Sequence, residues 1–238
     1  MTENISSIGS AGNPPTTATT PAILSGIKSK FTVTSVSQLN AYDQDNIGNN
    51  PAFTTASKTK NQVYLSPENY FFANATTLYV ADSGNPKGDN NGSSSSAQGL
   101  SDGGLQKWSL VAGTWMLDYT LSDGLNLVPD TTTCTSNQVG CGTTGLIGLT
   151  GEVLGNTVEL FATNATLGDL DPTYLYGIDD TLSATTLPAG ENFTVLETAA
   201  PDTNIRGVSF APVPEPTSIA LLLTGLVGGI ATRRRKRA

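Results

Sequence analysis

The stretch LQKWSLVAGTWMLDYTL, residues 105–121, decides the fold class of this chain. Apolar and polar side chains alternate along its second half, and a period of two is typical of a half-buried β-strand. The alternation predicts one face with Trp115, Leu117, Tyr119 and Leu121 and an opposite face with Met116, Asp118 and Thr120. Because only Ala112-Gly113 separates the two halves, the stretch predicts a β-hairpin.

Similar segments lie on both sides of this hairpin. Charged residues make up only 13% of the chain, which contains 25 Gly and 13 Pro, and this composition suits short strands and turns better than helices. The further predicted strands are TLYVAD (77–82), GLIGLTGEV (145–153), TVELFATN (157–164), TYLYGIDD (173–180), NFTVLETA (192–199) and IRGVSFAP (205–212). We therefore expect an all-β fold of antiparallel strands.

Three pairs of segments are similar to each other: TLYVAD and VELFAT, WSLV and YLYGID, and MLDYTL and TVLETA. Their order predicts two related units, which is typical of stacked or radial repeats. The segments resemble β-propeller blades of secreted bacterial proteins, in which LYVAD is followed by GLQKWSL. The resemblance implies blades at 76–144 and 145–212 in a body of residues 31–212. Since a closed propeller needs about four blades, we expect a partial propeller, with an open sandwich as the alternative.

Charge and composition argue against several classes of function. Five of the twelve basic residues form one run, Arg233 to Arg237, so the rest of the chain has seven basic and twenty acidic residues. A body this acidic repels phosphate backbones, which argues against nucleic-acid binding. The chain has no histidine, the most frequent general base and a common zinc ligand, so an enzyme is disfavoured and no cofactor is predicted.

Acidic side chains are the only candidate catalytic or metal-binding groups. They are Asp82, Asp89, Asp102, Asp169, Asp171, Asp179 and Asp180. Carboxylates bind calcium, and pairs of them cleave glycosidic bonds, but no segment has the spacing of a calcium loop. The favoured interpretation is solvated turn residues. Likewise, Trp108, Trp115, Tyr174 and Tyr176 suit a sugar-stacking platform, although aromatic residues in alternating strands are more often core.

The two cysteines, Cys134 and Cys141, lie in CTSNQVGC. Six intervening residues match neither a redox pair nor a zinc knuckle, so we expect a disulfide that closes a short loop in an oxidising compartment. At the other end of the sequence, residues 1–30 are predicted to be a disordered Thr/Pro-rich segment. Their start has no basic and apolar signal-peptide pattern, and a truncated or misassigned start is the expected explanation.

The C-terminus combines three features in order. Pro214, Glu215 and Pro216 come first, and the prolines prevent a helix from extending backwards. Residues 218–232 carry no charge, and as a helix they would span about 22 Å, a short transmembrane segment. The run Arg233, Arg234, Arg235, Lys236 and Arg237 then acts as a stop on the cytoplasmic side of the inner membrane.

These features resemble the PEP-CTERM sorting domain, here over residues 212–238. The resemblance implies recognition of Pro214-Glu215-Pro216 by an exosortase, a membrane transpeptidase, in an exopolysaccharide-producing bacterium. It implies export, transient anchoring by the C-terminal helix, and release to the cell surface or matrix. We therefore expect a surface or matrix protein with a non-enzymatic binding or structural role and exopolysaccharide as the candidate ligand. The alternative is a secreted enzyme that acts on polysaccharide through carboxylates in a propeller channel.

Overall fold

A computed structural model of the chain describes residues 6–7, 22–24, 26–27, 30–32, 62–84, 103–127, 142–166 and 170–210. The chain divides into two units, Met1–Val208 and Ser209–Ala238, and every strand below belongs to the first. The described residues include no helix that is long and apolar enough to cross a membrane. The predicted span at 218–232 lies outside them.

Two short antiparallel pairs come first in the chain. Strand β1 (Ser6–Ser7) pairs with β2 (Ala22–Ile23), and β3 (Lys30–Thr32) pairs with β4 (Gln62–Tyr64). Residues in β1 and β2 fall within the segment that the sequence predicts to be disordered. Each of these strands has only two or three residues, and the larger sheets that follow carry the described core.

The first sheet contains four antiparallel strands in chain order: β5 (Pro67–Asn74), β6 (Thr77–Asp82), β7 (Gly104–Val111) and β8 (Thr114–Leu121). The predicted hairpin is present, because β7 and β8 pair across a turn at Ala112-Gly113 in which both residues have positive φ. Two positive φ angles match the type I′ turn that the right-handed twist of paired strands favours. Strand β5 was not predicted.

The predicted alternation along β8 is wrong in its second half. The pairing of Lys107 with Tyr119 and of Trp108 with Leu117 leaves Asp118 as the extra residue of a β-bulge. A bulge shifts the period-two alternation by one residue, so Trp115 and Leu117 face one side of the sheet. Tyr119 and Leu121 face the other side, where the second sheet packs.

The second sheet repeats this order with β9 (Thr143–Leu154), β10 (Thr157–Thr166), β11 (Tyr174–Thr181) and β12 (Thr194–Thr198). The three pairs of similar segments therefore occupy matching positions: second, third and fourth strand of each sheet. The all-β prediction is confirmed as two antiparallel four-stranded sheets.

The strand predicted at 205–212 is wrong over its described part. Residues 205–210 are not in a strand. The chain turns at Asp202, which has a φ of 61°, and the Ile205 N–H then donates to Thr173 Oγ1 at 2.8 Å instead of to a neighbouring strand. Residues 211–212 lie outside the described part of the chain.

The two sheets pack face to face around a shared core. Its buried members are Tyr79, Ala81, Leu105, Tyr119, Leu121, Leu125, Leu146, Leu149, Val158, Leu160, Ala162, Tyr176, Ile178 and Phe193. A second cluster, the back core, covers the opposite face of the first sheet with Ile27, Leu65, Leu78, Val80, Trp108 and Trp115. Strand β6 and most of β7 are thus buried on both faces, which is why TLYVAD is apolar at consecutive positions, whereas β5 has one exposed face.

Candidate functional site

An open cleft of roughly 430 Å³ lies on the outer face of the second sheet, away from the shared core. Strands β10, β11 and β12 and the loop before β12 form it. Its lining combines carboxylates with apolar and amide groups: Glu159, Phe161, Gly177, Asp179, Glu191, Asn192, Thr194 and Leu196. Gly177 has no side chain, and the side chain of Leu196 in β12 packs closely against its position.

A row of three carboxylates crosses this face. Glu159 in β10 is in register with Glu152 in β9 on one side and with Asp179 in β11 on the other. Like charges at directly opposite positions destabilise a sheet. Partial desolvation, followed by the charges of Asp179 and Glu152, raises the pKa of Glu159. The row gives the cleft a negative electrostatic potential.

Glu191 connects the cleft to the interior. Its Oε1 accepts hydrogen bonds from the Thr181 N–H at 3.2 Å and the Thr181 hydroxyl at 3.3 Å. Its Oε2 is buried and has no hydrogen-bond partner among the residues that the structure describes. Burial first, and the neighbouring carboxyl of Asp180 second, raise the pKa of Glu191 to about 7. A carboxyl of this kind exchanges a proton near neutral pH.

Behind Glu191 lies a buried ion pair that joins the two sheets. Lys107 in β7 donates from Nζ to Asp180 Oδ2 in β11 at 2.8 Å, and both side chains are almost completely buried. The same Nζ donates to the Tyr119 hydroxyl at 3.0 Å and to the Thr181 carbonyl at 2.6 Å. The three N–H groups of the ammonium are therefore all used, as the burial of a charge requires.

Two tyrosines complete this inter-sheet network of Lys107, Asp180, Tyr79 and Tyr119. The Tyr119 hydroxyl donates to Asp180 Oδ1 at 2.6 Å, and the Tyr79 hydroxyl donates to Oδ2. Burial first, and Asp180 second, raise the pKa of both hydroxyls well above their usual range, so they remain protonated donors. Lys107 Nζ also lies 5.6 Å and 5.2 Å from the centroids of the Tyr79 and Tyr119 rings.

A second buried carboxylate, Asp82, ends strand β6 in the first sheet. It accepts hydrogen bonds from the Ser66 N–H at 3.1 Å, the Gly84 N–H at 2.8 Å and Gln106 Nε2 at 2.7 Å. Burial raises the pKa of Asp82 to about 7, although these donors oppose the shift. With no cation among these donors, Asp82 closes the end of the strand by hydrogen bonding alone.

The predicted acidic candidates divide into three groups. Asp82, Asp171 and Asp180 are buried, so the interpretation as solvated turn residues is wrong for them. The sequence predicts turns because Asp favours them for local reasons. The burial of these three carboxylates instead arises from partners that are distant in sequence. Asp179 is exposed and lines the cleft. Asp89, Asp102 and Asp169 lie outside the described residues.

No group of three or more acidic or cysteine side chains within the described ranges has a geometry suited to a metal ion. The aromatic candidates belong mainly to the cores, as the favoured interpretation predicts. Trp108 and Trp115 are in the back core, Tyr176 is in the shared core, and Tyr174 packs against it. The alternative interpretation, a sugar-stacking platform, therefore does not apply to these four residues.

The most important residue that sequence reasoning missed is Lys107. A signal was present: both faces of its strand carry large apolar residues, with Leu105 on one and Trp108 on the other, so a charged residue between them has to be buried. Glu191 gave no comparable signal, because it follows Gly190 in a polar loop.

Three predicted features lie outside the described residues. They are the sorting motif Pro214, Glu215 and Pro216, the basic run Arg233 to Arg237, and the expected disulfide between Cys134 and Cys141.

Comparison with protein families confirms the resemblance at the C-terminus. Residues 212–236 match the PEP-CTERM protein-sorting motif. A motif of this kind implies sorting by an exosortase to the cell surface. No curated protein and no solved structure matches the chain. The match covers a signal at the end of the chain and leaves the function of the two sheets to be inferred from their own residues.

Proposed function

We propose that this chain is an extracytoplasmic surface or matrix protein in which the sheets have a non-enzymatic binding or structural role. The observation that carries the proposal is the sorting motif at 212–236. In this proposal an exosortase recognises Pro214-Glu215-Pro216 while residues 218–232 anchor the chain in the inner membrane. The run Arg233 to Arg237 holds the end on the cytoplasmic side until processing.

The body supports a structural role through its packing. The middle strands of the first sheet, β6 and β7, are buried on both faces over most of their length, and the sheet is joined to the second by a shared core and an ion pair. In the proposal these sheets are two blades of a propeller-like array, since each has four antiparallel strands in chain order and neighbouring blades pack face to face. The outer face of the second sheet, with its cleft, is then the surface offered to exopolysaccharide.

One observation favours the enzyme as a second candidate. Glu191, with a pKa of about 7, lines the same cleft as the carboxylates Glu159 and Asp179. A protonated and an ionised carboxyl on either side of a glycosidic bond are the groups that glycoside hydrolysis requires. The cleft would then hold a sugar chain between Glu191 as the acid and Glu159 or Asp179 as the base or nucleophile.

The test of sorting is fractionation of the host after removal of residues 213–238. The proposal predicts that the deleted chain is no longer retained at the membrane or processed, whereas the full chain is. Glu215→Gln tests the motif with a single atom change, and Glu197→Gln, at an exposed carboxylate of β12, is the matched control. Unchanged membrane association after the deletion would contradict the assigned role of the tag.

The test of the body's role is incubation of the folded protein with the host's own exopolysaccharide. Saturable binding without release of sugars supports the binding protein. Release of reducing ends that is lost in both Glu191→Gln and Asp179→Asn supports the enzyme instead. Glu197→Gln again serves as the control, because it lies outside the cleft.

A further inference from the structure

The inter-sheet network has a composition and geometry beyond what stability requires. A primary amine and a carboxyl lie in direct contact at 2.8 Å in an interior shielded from water by both sheets. Replacing buried ion pairs by apolar side chains is often neutral or stabilising, so the presence of one is weak evidence for a role in stability alone. The contact also places the amine beside the carboxyl group with which it would form an amide bond.

We infer that Lys107 and Asp180 condense to an intramolecular amide cross-link between the two sheets. The reacting groups are on β7 and β11, and the fold brings them together from positions 73 residues apart. Effective concentrations of well-oriented intramolecular groups reach about 10⁵–10⁸ M, and this proximity is what the fold contributes to the condensation. No oxidant, reductant or cofactor takes part.

The bond changes balance with water as the only product. One proton passes from Nζ to Oδ2, the Nζ lone pair bonds to Cγ, and the C=O π electrons move to Oδ1. A second Nζ proton reaches Oδ2, the electron pair on Oδ1 re-forms the C=O bond, and the Cγ–Oδ2 bond breaks as water leaves with its electron pair. The third proton remains on the amide nitrogen, so an ion pair of zero net charge becomes a neutral amide.

The neighbouring side chains are suited to each stage. Tyr119 donates to Oδ1 at 2.6 Å, where negative charge develops, and therefore acts as an oxyanion donor. Tyr79 donates to Oδ2, the oxygen that leaves as water. Transfer of the first proton converts two buried charges into two neutral groups, which a low dielectric favours.

Glu191 is the proton relay in this scheme. Its carboxyl neighbours that of Asp180, which contributes to the raised pKa of Glu191 after burial, and its Oε2 is buried without a hydrogen-bond partner in the described part of the chain. The Thr181 N–H and hydroxyl hold the carboxyl from one side through Oε1. A pKa of about 7 lets the group accept and return a proton at neutral pH.

The test is intact-mass measurement of the purified full chain under denaturing and reducing conditions. The expected mass is lower than that of the sequence by one water molecule, and fragmentation should recover one branched peptide that joins the segments containing Lys107 and Asp180. Reduction removes any contribution from a disulfide. A folded wild-type chain at its full sequence mass would overturn the inference, as would a water loss located at any other pair of residues.

Three variants sharpen the result. Lys107→Arg keeps the positive charge but should abolish the water loss, and Glu191→Gln should slow formation of the cross-link by about 10²-fold or more while the chain remains folded. Asp179→Asn, on the opposite face of β11, should retain the full water loss. If Lys107→Arg fails to fold, the masses of the wild-type chain and of the Glu191→Gln variant still test the inference. An undiminished cross-link in Glu191→Gln would overturn the relay.

This inference does not depend on the proposed sorting. A cross-link can be present in a chain whose tag has no function, and its absence leaves the fractionation test unaffected. Where both hold, a covalent bond that closes 73 residues constrains the unfolded chain, which benefits a protein exposed outside the cell.

Discussion

The two sheets have the same strand order but different surroundings. In the first, the middle strands β6 and β7 lie between the shared core and the back core, whereas in the second the described residues form a core on one face only. The outer face of the second sheet carries the carboxylate row and the cleft. The two sheets therefore differ in burial. The first contributes most of the doubly buried strand residues, and the second carries the accessible cleft.

Their buried carboxylates differ in the same way. Asp82 in the first sheet is satisfied by backbone N–H groups and an amide of its own sheet. Asp180 in the second sheet is satisfied by a lysine and two tyrosines of the first. Asp82 therefore stabilises one sheet internally, while Asp180 determines how the two sheets are joined.

The largest expected effect comes from breaking the joint between the sheets. Lys107→Met cannot form the proposed cross-link and leaves Asp180 buried without a cation; removal of one partner of a buried pair alone costs about 3–5 kcal/mol. We expect a loss of this size in the free energy of unfolding by urea. Asp179→Asn, exposed on the other face of β11, should change it by less than about 0.5 kcal/mol. Equal effects of the two substitutions would contradict the assignment of the network.

The back core of the first sheet can be tested with neighbouring residues of β8. Trp115 is 6% exposed and Met116 is 54% exposed. Trp115→Ala should cost about 3–5 kcal/mol through lost burial and a cavity, whereas Met116→Ala should cost less than about 0.5 kcal/mol. The comparison is made by urea unfolding, and a cost at Met116 as large as that at Trp115 would mean that β8 presents its other face to the back core.

The pH dependence of stability compares the two buried carboxyls. Burial raises the pKa of Glu191 from 4.5 and that of Asp82 from 3.8, each to about 7. Between the lower and the higher value the folded state binds more protons than the unfolded chain. Their contribution to the free energy of unfolding therefore decreases as pH rises through this window and is lowest above pH 7.

We expect a higher urea midpoint at pH 5 than at pH 8. Glu191→Gln should remove part of this difference, and Asp82→Asn should remove another part. The exposed carboxylate variant Glu197→Gln should leave it unchanged. A midpoint that rises steadily from pH 5 to pH 8, with no effect of either buried substitution, would be inconsistent with the raised pKa values.

The smallest expected effect concerns the hairpin turns, which differ between the sheets. In the first sheet Ala112, in the turn between β7 and β8, has a φ of 49°, while in the second sheet the turn between β9 and β10 begins with Gly155 at 69°. A left-handed backbone costs a residue with a Cβ about 1–2 kcal/mol, and Asn tolerates it better. Ala112→Asn should therefore stabilise the chain by up to about 1 kcal/mol and Gly155→Ala should destabilise it by about as much, measured by thermal unfolding. Destabilisation by Ala112→Asn would argue against the type I′ turn.

Much of the fold could be predicted from the sequence because strand alternation is a local property. Short strand-like segments bounded by turn residues predict β6, β7, β8, the turn at Ala112-Gly113 and the four antiparallel strands after it. The bulge at Asp118 was not predictable, because one extra residue is visible only against the register of the partner strand.

The candidate site was predictable only in outline. Asp179 and Asp180 are adjacent and chemically identical, yet one lines the cleft and the other is buried beside Lys107. Which of the two faces inward depends on the register of β11 against β10, and the partner lysine lies in another sheet. Contacts of this range are set by the packing of sheets and leave no local pattern.

The central claim is that an exosortase sorts this chain through its C-terminus, and the mass of the protein recovered from the host's surface fraction tests it most directly. The account predicts a chain that ends near Pro214-Glu215-Pro216 and lacks the arginine-rich end. Surface protein that still carries Arg233 to Arg237 would contradict it.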